Sequence, residues 1–203
     1  MSPAAKKPAE QKKAKKPVAK KPTHHKKIKV KKTSEKTGFT PYIEKVTVNI
    51  GVGESGEKLA KAQTVLTGIA KQKPVQTISK TTSKDWGLRE GMPIGCKVTL
   101  RGKKAHDLIV EALKTRDNKI SDYSFDGQGN FSFGIPDHTL LKDQKYDPNI
   151  GIFGMDISVT MQKPGYRIRR RRIDQRKIRQ SQHITEEETK EYLIKEFHVE
   201  VVE

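Results

Sequence analysis

Residues 87–102, GLREGMPIGCKVTLRG, gather the side chains of this chain best suited to chemistry. Two glycine-bearing turns lead into the sole cysteine, Cys96, after which Lys97, Thr99 and Arg101 alternate with apolar residues. Such a stretch could be a glycine loop around a phosphate, the elbow of a cysteine nucleophile, or a surface that holds nucleic acid. GVGESG, residues 51–56, also follows a strand-like run. It lacks the Gly-Lys-Ser/Thr that completes a P-loop; Gly51, Gly53 and Gly56 do match the G-x-G-x-x-G spacing of a dinucleotide loop, but that pattern by itself is a weak signal, and the segment reads as a turn. Cys96 falls on the apolar phase of its run, where a thiol behaves as a small core residue. A nucleophilic cysteine needs an exposed, electropositive position and a base, and the sequence singles out no histidine partner. His24 and His25 are adjacent with no further ligands around them, and His106, His138, His183 and His198 are scattered without metal-ligand spacing. No carboxylate pair shares a context. No catalytic residue, metal or cofactor is therefore expected, and the chain is expected not to be an enzyme.

The bulk composition favours nucleic acid. The 203 residues carry 42 Lys+Arg against 24 Asp+Glu, a formal net charge of +18. Residues 1–36 supply +12 of that from fourteen lysines against Glu10 and Glu35, and they contain no Phe, Tyr or Trp. AAKKPAEQKKAKKPVAKKP is a low-complexity segment whose Lys, Ala and Pro bury too little apolar area to offset chain entropy. Residues 1–36 are thus expected to be a disordered Lys/Ala/Pro-rich tail, and 37–203 a moderately basic domain long enough for one core. The tail has no apolar h-region, no run is long enough to span a bilayer, and one cysteine allows no disulfide framework. A cytosolic setting with a nucleic-acid partner and no membrane is expected.

The elements that would position these residues follow from periodicity. Val46, Val48 and Ile50 alternate with Lys45, Thr47 and Asn49, giving a strand. Leu59, Ala62, Leu66 and Ile69 fall at helical spacing, and Pro74 closes that helix. VQTISK, 75–80, reads as a strand, residues 80–92 as a polar loop, and Ile94, Cys96, Val98 and Leu100 as a third strand. Leu108, Ile109, Ala112 and Leu113 make a helical stripe within 103–115. A Gly-rich turn precedes a strand through Phe131 and Phe133, residues 136–150 read as a loop with a short helix, and Ile157, Val159 and Met161 mark another strand. Residues 163–180 are a dense basic segment. Thr185 and Glu188 form a capping-box pattern that opens a final helix, 185–197. The expected fold class is α+β: an antiparallel sheet with helices packed on one face and an open polar face for RNA.

On that open face Lys45, Thr47, Asn49, Lys97, Thr99 and Arg101 would present donors for phosphate and sugar oxygens, and amide and hydroxyl groups for base edges or 2′-hydroxyls. Aromatic content is only 6%, and Phe131 and Phe133 fall on the apolar phase. That argues against a sheet that stacks single-stranded bases, and for recognition of folded RNA by shape and backbone. The cluster Arg167, Arg169, Arg170, Arg171 and Arg172 adds guanidinium forks suited to bidentate phosphate contacts.

Five segments in order, VTVNIGVGES, KQKPVQTISK, GMPIGCKVTLRG, FDGQGNFSFGIPDH and YDPNIGIFGMDISVT, carry a likeness over Gly38 to Glu203. The chain resembles the universal "protein five" family of the large ribosomal subunit, called protein eleven in eukaryotes, and looks like its archaeal or eukaryotic branch. The resemblance implies a structural constituent of the cytoplasmic ribosome, in the central protuberance, with 5S rRNA and large-subunit rRNA as partners. It also implies a loop near the tRNA in the peptidyl site, and neighbouring ribosomal proteins including the small-subunit head. Carried over by motif, the 5S contacts fall on Asn49, Gln72 and Thr99, with Lys97 and Arg101 beside them. The tRNA-facing loop is roughly Ser79 to Gly91, with Lys80, Lys84 and Arg89 as its cations. Asp85 and Glu90 make it less basic than the bacterial version. The competing class is a free RNA- or DNA-binding chaperone whose tail supplies non-specific affinity. An enzyme using Cys96 is a distant third.

A core role for Cys96 has a direct check. Cys96→Ser should lower the denaturation free energy by about 1 kcal/mol through burial of a hydroxyl, while RNA affinity measured beside the wild type stays unchanged.

Overall fold

The computed structural model describes residues 40–142 and 144–202. The expected disordered tail, residues 1–36, lies outside them. The strands are β1 (Tyr42–Gly51), β2 (Val75–Ile78), β3 (Pro93–Leu100), β4 (Lys119–Ser121), β5 (Phe131–Ile135), β6 (Met155–Gln162) and β7 (Glu200–Val202). The helices are α1 (Glu57–Ala70), α2 (Lys103–Thr115), α3 (Arg167–Arg170) and α4 (Glu186–Phe197). Five strands form one antiparallel sheet in the order β2-β3-β1-β6-β5, and β4 pairs in parallel with β7 apart from it. This is the expected α+β class.

The alternation read from the sequence sets which way the sheet faces. Val46, Val48 and Ile50 of β1, Cys96, Val98 and Leu100 of β3, and Ile157, Val159 and Met161 of β6 are all buried. Helix α1 covers β3 with Leu59, Ala62, Val65 and Leu66, and α2 adds Ala105, Leu108, Ile109, Ala112 and Leu113 to the same core. Each of these large side chains contributes about 1.5–3 kcal/mol by leaving water, so the apolar phase fixes the face. Cys96 is fully buried, and burial pushes its thiol up to about 11. It is a core residue held protonated, without the thiolate that nucleophilic chemistry needs.

Helix α4 opens on the expected capping box. Thr185 Oγ1 accepts from Glu188 N at 3.4 Å, and Glu188 Oε2 accepts from Thr185 N at 3.3 Å. Thr185 is the cap, so the helix itself starts one residue later than expected. Its docking depends on Gly129, where a Cβ would come within 2.5 Å of Ile184 and 2.8 Å of the Thr189 hydroxyl. That hydroxyl donates to the Gly129 carbonyl at 2.8 Å.

Three features differ from the sequence expectation. The short helix expected in 136–150 is a single 3-10 turn, His138–Leu140, because the Asp137 carboxylate accepts from Thr139 N and closes a tight turn. The strand expected over 75–80 stops at Ile78, where the register with β3 shifts. The β4–β7 pair was not expected at all: three-residue strands are too short to show a period, and their pairing joins positions 119–121 to 200–202.

Gly95 sits where β3 passes between β1 and β2, and a Cβ there would lie 2.8 Å from both the Ile50 carbonyl and the Thr77 hydroxyl. Gly95 therefore permits a close backbone approach that a side chain would block. Gly95→Ala should displace edge strand β2 and cost about 2 kcal/mol, read as a fall of about 5 °C in Tm; an unchanged Tm would mean that β2 does not depend on this approach.

Candidate nucleic-acid interface

The face opposite the helices is polar, and its register can be read strand by strand. One row runs Lys97, Asn49 and Asp156; the next runs Thr99, Thr47, Ser158 and Ser132. Lys97 and Thr99 are exposed, and Lys45, Thr47 and Asn49 half-buried. Among the described residues, none of these five side chains makes a hydrogen bond within the protein, so their donors and acceptors remain available. Antiparallel pairing sets directly opposite Cβ atoms about 4.5–5.5 Å apart. The alternating positions of three strands thus become a closely spaced array. The array is not uniformly basic, since Asp156 lies across from Asn49. A carboxylate beside an amide discourages indiscriminate phosphate binding and leaves hydrogen-bond geometry to discriminate.

The other sequence-selected residues fall around this array. Gln72 is exposed in the turn between α1 and β2. Lys80, Lys84 and Arg89 are exposed on the loop joining β2 to β3. That loop leaves the end of the sheet where β3 begins, whereas Arg101 and the arginine segment lie at the end where β3 finishes and β1 starts. Apart from Lys45 and Lys97 on the sheet itself, the selected cations therefore form two groups at opposite ends of one sheet.

Arg101 and Arg170 are partly committed inside the protein, and their common partner was not among the sequence-selected residues. The pairing of β1 with β6 slips between Ile43 and Lys45, leaving Glu44 as the extra residue of a β-bulge. Its side chain is buried to 6% exposure. Arg170 reaches it with both guanidinium nitrogens, Nη2 donating to Oε2 at 2.6 Å and Nη1 to Oε1, and Arg101 Nη1 donates to Oε1 at 3.0 Å. The Arg170 fork, with Arg101 beside it, holds the Glu44 carboxyl at about 2, below its ordinary 4.5, against the upward push of burial. A carboxylate on the apolar phase of β1 was the signal in the sequence. Its purpose emerges only once the bulge and the distant arginines meet.

This one ion cluster fixes the short helix α3 against the sheet. Arg167, Arg169, Arg171 and Arg172 are left exposed on it or just beyond it. Arg171 turns back, its Nε donating to the Asp174 carbonyl at 2.8 Å. Lys163, at the head of the same basic segment, is buried. It donates to the His183 carbonyl at 3.1 Å and pairs with Glu188 at 2.5 Å, so it is a structural lysine. Glu44, Tyr166, Arg169, Arg170, Gln175 and His183 line a polar cleft of about 370 Å³ behind the helix. Among the described residues, no group of three His, Cys, Asp or Glu side chains could hold a metal, and no helix is long and apolar enough to cross a membrane.

The site is thus an α+β sheet with one face buried and the other a polar array, bounded by two basic groups. Residues 39–89 match the family model described as "Ribosomal protein L5", and residues 93–199 match the companion model for the C-terminus of the same ribosomal family. Curated relatives named "Large ribosomal subunit protein uL5" align over most of their length. That of Methanosphaera stadtmanae is 50% identical over 79% of this chain and 96% of its own. That of Methanoregula boonei is 48% identical over 79% and 97%, and that of Sulfurisphaera tokodaii 48% over 79% and 92%. The chain belongs to the uL5 family of large-subunit ribosomal proteins, structural constituents of the cytoplasmic ribosome and not enzymes. Both the family and the branch are those the sequence motifs resembled.

The Glu44 cluster makes a pH-dependent contribution to stability. Its folded-state value of about 2 lies below the ordinary 4.5, so the contribution is full above about pH 4.5 and fades as pH falls through 2. Glu44→Gln should cost about 1–2 kcal/mol at neutral pH. The gap between variant and wild type should close on acidification, read from denaturant midpoints across that range. A gap independent of pH would mean that the carboxylate charge is not what holds α3.

Proposed function

We propose that this chain binds 5S rRNA and large-subunit rRNA in the central protuberance of the ribosome, using the open face of its sheet. Asn49, Gln72 and Thr99 contact the 5S backbone and 2′-hydroxyls; Lys45, Thr47, Lys97 and Arg101 support them. The observation that carries this reading is the row register. Asn49 stands opposite Lys97 and Thr47 opposite Thr99, and among the described residues none of these four side chains has a hydrogen-bond partner within the protein. Arg167, Arg169, Arg171 and Arg172, on the segment that Arg170 anchors, take phosphates of large-subunit rRNA. The loop of Lys80, Lys84 and Arg89, at the far end of the sheet, approaches the tRNA in the peptidyl site. Neighbouring ribosomal proteins, including those of the small-subunit head, complete the surroundings. Residues 37–203 act as a single RNA-binding domain, and the Lys-rich residues 1–36 add electrostatic attachment along ribosomal RNA.

Full-length chain and residues 37–203 should both prefer 5S RNA over a scrambled RNA of equal length by a hundredfold or more, about 2.7 kcal/mol. Asn49→Ala and Thr99→Ala should each erode that preference without changing the salt slope, because neither side chain displaces a counterion. Lys97→Ala should flatten the slope by about one unit. Equal binding of both RNAs by residues 37–203 would replace this reading with that of a charge-driven chaperone.

A further inference from the structure

Trp86, the only tryptophan of the chain, stands at the tip of the β2–β3 loop with 78% of its surface exposed. The loop beneath it is a built hairpin. Ser79 N donates to the Met92 carbonyl at 2.8 Å, and Gly91 N to the Ser79 carbonyl at 3.0 Å. Ser83 and Leu88 exchange backbone hydrogen bonds of 3.0 and 2.9 Å, and Gly87 N closes the turn on the Lys84 carbonyl at 3.1 Å. Gly87 has φ +63, a value L side chains rarely adopt, so the turn geometry is specific to glycine. The indole is therefore held out from the loop by backbone hydrogen bonds and is not folded against it. An aromatic side chain of this size normally buries about 150–250 Å², so its area is left for a partner.

The surroundings of the indole select the partner's chemistry. Lys80, Lys84 and Arg89 are exposed on the same loop, against Asp85 and Glu90. An aromatic plane set among cations matches a nucleotide, which offers a π-face and a phosphate a few ångströms apart. The polar rows of the sheet face carry no such ring.

We propose that Trp86 stacks on an exposed nucleobase face of the RNA this loop meets, while Lys84 and Arg89 take the flanking phosphates. The inference rests on the reading of the loop as tRNA-facing. It goes further in giving the tip a base-stacking role.

The test is retention of tRNA in the peptidyl site by large subunits assembled with the full chain. The arms are wild type, Trp86→Phe, Trp86→Leu, Trp86→Ala and the double variant Lys84→Ala/Arg89→Ala. Every substituted side chain is exposed, so folding is not at stake. Trp86→Phe, which keeps a π-face, should stay within about twofold of wild type, whereas Trp86→Leu and Trp86→Ala should both weaken tRNA by about 5- to 100-fold. Retention by Trp86→Leu equal to wild type beside a weakened Trp86→Ala would overturn stacking and leave an apolar contact at the tip. A weakened double variant beside an unaffected Trp86→Ala would overturn stacking alone and leave the loop reading standing. Insensitivity of every variant would overturn both.

Discussion

Strand β1 is hydrogen-bonded on both sides, to β3 and to β6, and the rest of the molecule is arranged around that fact. A strand flanked on both edges cannot shift its register by one residue without turning its whole apolar set toward water. Val46, Val48 and Ile50 therefore lock Lys45, Thr47 and Asn49 onto the other face, and the neighbours follow. The helices α1 and α2 cover one face because only that face has apolar area to lose. The open face is the unavoidable complement of a packed core, and its chemistry was free to be specialised for RNA.

The one departure from strict alternation has the widest consequence. A bulge places Glu44 between the sheet and the arginine segment, and a single buried carboxylate gathers two guanidinium groups. Without that counter-charge, a run dense in arginine would repel itself and lie loosely on the surface. With it, one fork is sacrificed to anchorage and its neighbours are presented at a defined height above the sheet. Lys163, buried between Glu188 and the His183 carbonyl, plays a similar part at the start of α4. The basic segment thus contains two kinds of cation. Some hold the protein together, and others stand exposed to solvent.

The topology separates the exposed cations of the β2–β3 hairpin from those of the arginine segment. The hairpin between β2 and β3 and the arginine segment leave opposite ends of the same rigid sheet, with the polar rows between. Backbone hydrogen bonds carry the hairpin, and an ion cluster carries the arginines. Each end can thus be altered by substitution of exposed side chains without disturbing the core that links them.

Much of this was legible in the sequence. Periodicity of two gave the sheet strands and the buried role of Cys96, and periodicity near four gave α1 and α2, because side-chain direction along a regular element is a local property; the capping box gave α4. The order of five motifs identified the family. The sequence alone did not determine which cations are free. Arg170 and Lys163 look like their neighbours along the chain, and only the meeting of residues 44 and 170, or 163, 183 and 188, singles them out as anchors. The β4–β7 pair, and the exposure of Trp86 on a hydrogen-bonded tip, belong to the same class. Composition and alternation record what each residue prefers locally. Ion pairing, edge pairing and exposure depend on which distant residues arrive beside it, and that was decided by the tertiary structure.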